Sequence, residues 1–516
     1  MTGAFRQSLG ALHTWSGLLA GWLLYFVFLT GTLGYFSVEI DRWMQPELPW
    51  RPPAATTETI LAQAIGRLQA AAPAAERWSI DLPYRKSATG LRVGWRMPTA
   101  ADGTRGAAGW LPDLQAEQSG VPPRLTGGGL LLYQMHYRLH YLDAQSAYWI
   151  VGLASMFLLV TLLSGVITHK RILRNFFTFR PAKGPTSWRD AHTVLGTLAL
   201  PYHLMITYSG LVLLASTYMP LVFNEIYRAD EPAQASFFAE ASPRLPERPR
   251  SGVAAPLVPL APVLADARAR VQGAPIQSLS IRNPGDANAR ILLVAERGTP
   301  QAGTQQLLYD GVSGVLLQPA GLARSTPRQV RDALTGLHKG LYAPYALRWL
   351  YFLAGLVGTA MVGTGLVLWA AKRRERLRAG QQHWGLFAVE HLNPGMILGP
   401  VIGVLAYLWA NRLLAADYAA RGLWEGHALF LAWGAALLWA CLSPPRRGWV
   451  GLLWCASSLA VLLPVVNALT TDRHLGVTLP LPGRAGDWTL AGVDLAALAL
   501  GVALACVARQ AARGRT

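Results

Sequence analysis

Charged side chains are scarce in this chain of 516 residues, at 14% of the composition against about a quarter in average soluble proteins. The scarcity excludes an ordinary soluble domain, because 52% of the residues are hydrophobic and cluster into runs long enough to cross a bilayer. Acidic residues are the rarer sign, with 28 against 46 lysines and arginines, which leaves a net charge of +18. The basic residues crowd just outside the apolar runs, and this placement indicates membrane topology rather than nucleic-acid binding.

Cysteine is nearly absent, and the three that exist, Cys441, Cys455 and Cys506, lie in apolar runs without C-x-x-C spacing. This pattern argues against a disulfide framework, a zinc site or an iron–sulfur cluster. A strand–GxGxxG–helix unit for a nicotinamide or flavin is also missing, because Gly127–Gly129 lacks the spacing. The sequence shows no constellation of general acid, base and nucleophile, so we predict no catalytic residue.

The apolar runs predict eight membrane spans. The first ends in Phe36-Ser37-Val38-Glu39 without a small-residue cleavage site, and we interpret it as an anchor. With the N-terminus inside, most basic residues near the spans are cytoplasmic, as the positive-inside tendency requires. We therefore predict an inner-membrane protein with both termini in the cytoplasm. The predicted spans are residues 11–37, 147–169, 191–216, 345–370, 394–412, 424–441, 449–468 and 488–508.

Two long loops face the outside in this topology, and each is predicted to form a small domain of helix and antiparallel sheet. Helices are expected at Thr57–Ala72 and Leu257–Val271, and a turn at Asp310–Gly314 leads into Val315-Leu316-Leu317. Strands are expected at 76–82, 90–97, 276–282, 290–296 and 305–309, with Pro-rich linkers at Pro46–Pro53 and Pro243–Pro262. The predicted fold class is a mainly α-helical polytopic membrane protein with two α+β external domains.

The predicted segments follow from the spans and loops. They are span one (1–37), the first external domain (38–146), spans two and three (147–216), the second external domain (217–344), span four (345–370), a basic cytoplasmic loop (371–393) and a four-helix extension (394–516).

The first four spans contain an internal repeat. His13 precedes Gly17 by four residues and Thr30-Gly31 by 17 and 18, and His192 precedes Gly196 and Ser209-Gly210 by the same intervals. Spans two and four match as well, since Trp149 lies 16 residues before Gly165 and Trp349 lies 16 before Gly365. The halves share one orientation, which predicts a pseudo-two-fold axis along the membrane normal.

Several histidines lie in or beside these spans, and intramembrane ionisable residues are rare and functional by default. His13 and His192 occupy equivalent repeat positions, and the glycine four residues later shares a helix face with each and leaves room for a flat macrocycle. Two facing imidazoles suit the axial positions of haem iron. The predicted inner site is therefore a haem held by His13 and His192.

A second, outer site is less well defined. His140 with His338 is the preferred pair, and His136 is an alternative one turn before His140. His203 competes, because it follows His192 by 11 residues, about 16 Å further along one helix face. His169, at the inner end of span two, would replace an inner ligand or bind a propionate.

Several motifs resemble the PepSY-associated transmembrane helix family. They are His13-Thr-Trp-Ser-Gly17, Ala191-His192-Thr-Val-Leu-Gly196, Leu200-Pro-Tyr-His203, Ser164-Gly-Val-Ile-Thr-His169 and Asn175-Phe-Phe-Thr-Phe-Arg-Pro181, the last three typical of its iron-regulated branch. Leu308-Tyr-Asp-Gly-Val-Ser-Gly314 resembles a PepSY domain, and the resemblance covers residues 1–375 best. It implies a ferric-siderophore reductase of a Gram-negative inner membrane, with two b-type haems.

The expected mechanism passes an electron from the inner haem to the outer one and on to Fe(III) in a siderophore docked between two periplasmic domains. Fe(II) binds the oxygen donors of a siderophore more weakly, so reduction releases it. The donor would be a quinol or a separate reductase, and the other expected contact is membrane lipid. The alternatives are a non-enzymatic PepSY sensor or assembly protein and a transporter. A metal transporter is disfavoured because no span carries a pair of carboxylates together with its histidines.

Overall fold

The computed structural model describes residues 3–48, 57–82, 91–99, 106–111, 123–169, 179–181, 183–226, 248–296, 304–318, 326–377, 383–482 and 486–513. Some features discussed above lie outside these residues, namely most of the motif that begins at Asn175 and parts of both Pro-rich stretches. The chain forms two compact units. The first comprises Met1–Pro46, Arg124–Tyr218 and Ala343–Thr516, and the second Glu47–Pro123 and Met219–Tyr342.

Helices build the first unit. Seven of the described helical segments are long and apolar enough to cross a membrane, and a bent pair makes an eighth if it is counted as one span, in agreement with the prediction of about eight. In chain order the helices of this unit are α1 (Gly3–Leu33), a 3-10 turn (Gly34–Phe36), α2 (Ser37–Met44), α4 (Gly128–Arg138), α5 (Ala144–Thr168), α6 (Pro185–Leu198), α7 (Leu200–Tyr218), α11 (Tyr345–Arg376), α12 (Trp384–Leu413), α13 (Arg421–Leu442), α14 (Pro445–Thr470), α15 (Leu475–Thr478) and α16 (Trp488–Ala512).

The bent pair is α6 and α7, which meet at an angle of 68° around Ala199. Pro201 explains the break, since its ring clashes with the preceding turn and it lacks the N–H of a helical hydrogen bond. The expectation that His192 and His203 share one straight helix face is therefore wrong: the bend separates the helix that carries His192 from the helix that carries His203.

The repeated spans form a four-helix core. α1 packs against α5 and α11, α6 packs against α11, and α7 packs against α5, so each half of the repeat contacts both helices of the other. Leu24, Phe28, Leu158, Met361 and Leu366 are among the side chains that fill the centre. In the C-terminal extension, α12 packs on α13 and α14, and α14 packs on α16.

The second unit is built on an antiparallel sheet. Its seven described strands lie in the order β3-β2-β1-β4-β5-β6-β7. They are β1 (Arg77–Asp81), β2 (Arg92–Arg96), β3 (Ala108–Leu111), β4 (Ile276–Arg282), β5 (Arg290–Glu296), β6 (Thr304–Asp310) and β7 (Leu316–Gln318), and the helices are α3 (Thr57–Ala71), α8 (Pro220–Ile226), α9 (Leu260–Arg270) and α10 (Thr326–Lys339). Leu61 and Leu68 of α3 share one core with Leu264 of α9 and with Ile80 and Leu279 of the sheet.

The two external loops contribute to one sheet rather than to two separate domains. β1 of the first loop pairs with β4 of the second, with Ser79 opposite Ser280 and Ile80 opposite Leu279. This pairing covers the strand edge that each half-sheet would otherwise expose. We expected a siderophore to dock between two separate domains, but strand pairing joins the two loops at that position. The docking surface therefore stays unassigned.

Candidate functional site

His13 of α1 and His192 of α6 lie side by side in the four-helix core. Their ring centres are 6.2 Å apart and the ring planes are inclined at 74°. His13 Nδ1 lies 2.8 Å from the carbonyl oxygen of Thr161, and His192 Nδ1 lies 2.9 Å from that of Met361. A carbonyl oxygen only accepts, so each Nδ1 carries the proton and each Nε2 keeps a lone pair for a metal.

The repeat reproduces these contacts. Thr161 lies four residues before Gly165, and Met361 lies four before Gly365. A Cβ atom on Gly165 would lie 3.0 Å from Cε1 of His13, and one on Gly365 would lie 3.0 Å from Cε1 of His192. These two glycines therefore make room for the imidazoles, a role that the sequence pattern did not reveal.

A cavity of about 460 Å³ opens around both histidines. Its volume falls in the range of small-molecule and cofactor sites, about 300–1,000 Å³. Gly17 and Gly196 line it, as the predicted space for a macrocycle requires, and Leu24, Leu158, Leu162 and Leu366 supply apolar walls. A Cβ on Gly17 would make only an ordinary contact, 3.7 Å from Thr161 Cγ2.

The residues present fit a haem. A metal–imidazole bond is about 2 Å long and the ring centre lies roughly 1 Å further, so two imidazoles on opposite sides of one metal have centres about 6 Å apart. The observed separation of 6.2 Å matches this value. Both donors are neutral nitrogen ligands fixed by backbone carbonyls, and they border an apolar cavity, as bis-imidazole haem iron requires.

His169 lines the same cavity at the end of α5. Its Nε2 is buried and has no hydrogen-bond partner in the described part of the chain. The structure thus brings three predicted histidines, His13, His192 and His169, to one cavity.

His203 of α7 is fully buried, with 0% of its surface exposed. Neither of its ring nitrogens makes a hydrogen bond of good geometry among the described residues, although backbone groups of Ala354 and Gly196 lie close to the ring. The ring stands edge-on to Phe28, 6.2 Å away. A Cβ on Gly358 of α11 would lie 3.2 Å from His203 Nε2. A buried imidazole without a hydrogen bond of good geometry is costly and requires an explanation, so His203 stays a candidate outer ligand.

His136 and His140 face different neighbours. His136 of α4 lies against Gly31 of α1, where a Cβ would be 3.5 Å from its ring, and its Nδ1 lies 2.6 Å from the Tyr133 carbonyl oxygen. His140 stacks on Phe430 of α13 with ring centres 5.5 Å apart. His136 therefore faces the repeat core, whereas His140 faces the extension.

The predicted pairing of His140 with His338 stays a prediction. His140 belongs to the first unit, and His338 belongs to α10 of the second. Burial lowers the pKa of His140, and the proximity of His427 lowers it further, so the neutral ring is favoured.

A buried polar network joins the extension to α4, and sequence reasoning missed it. Glu425 of α13 and Arg421 one turn earlier are both 0% exposed and form an ion pair at 3.2 Å. Glu425 also accepts hydrogen bonds from Thr126 Oγ1 at 2.6 Å, the Gly127 amide at 3.0 Å and Asn411 Nδ2 at 2.7 Å. A buried acid inside a predicted span was a signal available in the sequence.

A second part of this network surrounds Trp43, near the C-terminal end of α2. The guanidinium of Arg412 lies 3.7 Å from the centre of the Trp43 ring and donates to Asn467 Oδ1 at 2.8 Å. Trp43 Nε1 donates to the carboxylate of Asp494, 3.0 Å away. The extension is therefore bonded to the repeat core by buried charged groups that satisfy one another.

Comparison with known proteins gives one result for this chain. Residues 11–372 match the family model described as PepSY-associated TM region, which covers more than two thirds of the 516 residues. No curated protein matches the chain. The matched region begins two residues before His13 and includes both halves of the repeat, in agreement with the resemblance found from the motifs. The chain belongs to the PepSY-associated transmembrane-region family.

Proposed function

We propose that this membrane protein is a b-type haem oxidoreductase that moves electrons across the bacterial inner membrane to ferric siderophore in the periplasm. The observation that carries the proposal is the pair of repeat-related imidazoles, 6.2 Å apart at a cavity of about 460 Å³. Each imidazole has its Nδ1 engaged by a backbone carbonyl, so both Nε2 atoms are prepared for one metal.

His13 and His192 are the residues that would hold the inner haem. When bound, haem supplies one-electron chemistry whose potential depends on its axial ligands and surroundings. The Thr161 and Met361 carbonyls fix the tautomer and the direction of each ring. The leucine walls exclude water, which lowers the local dielectric and strengthens every charge interaction at the site.

An outer site would complete the path, with His203, His136, His140 and His338 as its candidate ligands. The buried ring nitrogens of His203, which make no hydrogen bond of good geometry among the described residues, and the position of His136 against Gly31 support these two residues from within the first unit. His140 with His338 stays the pair predicted from the sequence.

The direction of transfer follows from the charge distribution. The basic residues Arg189, Lys372, Arg373 and Arg376 all lie near one end of the spans, which the positive-inside tendency assigns to the cytoplasm. The sheet unit would then be periplasmic, and the donor would be a quinol or a separate cytoplasmic reductase. Once the substrate Fe(III) is reduced, the resulting Fe(II) dissociates more readily from the oxygen ligands of the siderophore.

Optical spectra of the purified full-length protein test the haem. We expect a Soret band and, after dithionite reduction, an α-band of b-type haem. His13→Ala and His192→Ala should each remove the inner haem, about half of a two-haem load. His391→Ala is the matched control, because the contacts of His391 in the described part of the chain are with the carbonyl oxygen and the ring of Phe387, one turn before it. The absence of both bands from protein made in haem-replete cells would reject the oxidoreductase and leave a PepSY scaffold or a transporter.

The second half of the proposal needs its own assay. Dithionite-reduced protein in liposomes, mixed with ferric siderophore and a ferrous chelator, should reoxidise while the ferrous complex forms. His192→Ala should slow this reaction, whereas His391→Ala should not. Reoxidation at the rate of the iron-free control would reject ferric siderophore as the acceptor.

A further inference from the structure

The inner cavity ends in a cluster of cationic side chains. Arg189 of α6 and Lys372, Arg373 and Arg376 of α11 line it, and no carboxylate lines it among the described residues. The carboxylate next to Arg189 in the chain, Asp190, lies 3.6 Å from it but is held by Arg180 through two hydrogen bonds of 2.8 and 2.9 Å. The cavity therefore presents an excess of positive charge at one end. We call these four residues the cationic mouth.

The mouth lies within reach of the histidine pair. Arg189 precedes His192 by three residues, about one helical turn. Lys372 follows Gly365 by seven residues, about 10 Å along α11, and Gly365 contacts the His192 ring. Side chains of a helix lean toward its N-terminus, so Lys372 and Arg376 extend back from their turns toward the cavity.

Resting on the haem function proposed above, we propose that the cationic mouth binds the two propionate carboxylates of the inner haem. One cavity holds two imidazole donors, apolar walls and four cations at a single end. A haem b has complementary parts, namely a metal, an apolar ring and two carboxylates on one edge. Charge-assisted hydrogen bonds from Lys and Arg to carboxylate are among the stronger polar contacts in proteins.

Topology alone accounts for basic residues at this end of the spans, but it does not require them to line a cavity. Arg374 shows the difference, because it belongs to the same basic segment yet does not line the cavity. It pairs with Glu390 at 2.9 Å instead. Arg374 therefore contributes the same positive charge at the end of the span as Lys372 but is not part of the cationic mouth, which makes it the matched control.

The mouth is also asymmetric with respect to the repeat. All four cations come from α6 and α11 of the second half, whereas the histidines and glycines come from both. The first-half counterpart of Arg189, three residues before His13, is Gly10. In this proposal the described residues that hold the carboxylates belong to the second half, and each half supplies one imidazole to the metal.

The test compares two forms of the cofactor in the full-length protein. Four proteins are compared in detergent: wild type, K372Q, R376Q and R374Q. Each is loaded with haem b or with its dimethyl ester, in which both carboxyl groups are esterified and carry no charge. The rate of transfer to excess apomyoglobin is then followed by absorbance. We expect K372Q and R376Q to lose haem b about tenfold faster than wild type, a change of about 1.4 kcal/mol. The same substitutions should leave the loss of the ester unchanged, and R374Q should alter neither rate.

The comparison of the two cofactor forms in wild-type protein does not depend on whether a variant folds. The ester should leave wild type at least about tenfold faster than haem b, because each lost carboxylate contact should accelerate the loss about tenfold, as in the two variants. Equal loss of both forms from wild type, or loss from K372Q and R376Q at the R374Q rate, would overturn the carboxylate site while leaving the haem function standing. A wild-type protein that retains neither form would overturn both proposals. The inner haem is identified as the one that H13A lacks. Faster loss of that haem alone from K372Q and R376Q would support the assignment.

Discussion

Replacement of Glu425 by glutamine should destabilise the first unit strongly. The four groups that face its carboxylate are all donors: the Thr126 hydroxyl, the Gly127 amide, the Asn411 side-chain amide and the Arg421 guanidinium. A glutamine has one acceptor oxygen and one NH₂ group, so in either orientation an NH₂ group meets donors. Arg421 would also lose its counter-charge while remaining 0% exposed.

The size of the effect follows from burial. Removal of one partner of a buried ion pair costs about 3–5 kcal/mol. The matched control is Glu390→Gln, because its partner Arg374 is 67% exposed and an exposed pair contributes about 0–1 kcal/mol. Thermal unfolding of both variants in detergent, followed by size-exclusion fluorescence, should rank E425Q far below E390Q. Equal unfolding midpoints would refute the conclusion that Glu425 is a buried carboxylate held by four donors.

Three further predictions rest on separate parts of the chain. Gly165→Ala and Gly365→Ala should reduce inner-haem content to a similar degree, because each new Cβ would lie 3.0 Å from an imidazole carbon, whereas Gly10→Ala, with no atom within 4 Å, should leave the α-band unchanged. Burial raises the pKa of Asp286, but donors on Asn288, Ser251 and Gly252 outweigh it and lower the pKa to about 2. Since an unfolded aspartate titrates near about 3.9, this stabilisation is complete above about pH 4 and is lost as the pH falls toward 2. Hydrogen exchange of segment 248–258, corrected for its intrinsic rate, should show that loss in wild type and not in Asp286→Asn. The pair S79C/S280C should form a disulfide that links the two loops after proteolysis between them, while S79C/S278C, two residues out of register, should not.

The spans and most of the strands could be predicted from the sequence because their signals are local. Bilayer thickness fixes the length of an apolar run, and alternation with turn residues marks Ile276–Arg282 and Arg290–Glu296, which were predicted at their observed bounds. The inner histidine pair could be predicted for a different reason: the repeat places His13 and His192 at equivalent positions, and symmetry-related residues of packed helices meet at the axis.

Long-range pairing could not be predicted in the same way. Nothing local distinguishes β1 and β4 as partners, since about two hundred residues separate Ser79 from Ser280 and each loop carries its own turn signals. The short β3 was missed because four residues give too short a pattern, and α10 was missed because it is polar on average although its apolar residues repeat at helical spacing. The cationic mouth was attributed to topology alone, because the positive-inside tendency accounts for Lys372 and Arg376 without reference to a cavity.

The outer histidines show how the extension bears on the site. α4 begins at a glycine triplet held between two carboxylates, the buried Glu425 and the partly buried Asp41: the Gly127 amide donates to Glu425, and the Gly129 amide donates to Asp41 at 2.8 Å. A Cβ on Gly129 would lie 2.1 Å from the Ser37 carbonyl oxygen, so α4 approaches α2 more closely than any other residue would allow.

This fixed start determines which way His136 of α4 faces, and it positions His140 just after the end of the helix. Because α4 is bonded to both α2 and α13, the turn that carries His136 faces Gly31 of the core, and His140 faces Gly426 and Phe430. Loss of Glu425 should therefore disturb the surroundings of His136 even though Glu425 lies outside the family-matched residues 11–372. If His136 is an outer ligand, E425Q should shift the spectrum or potential of the outer haem and leave the inner haem unaltered. A shift confined to the inner haem would assign α4 no part in the outer site.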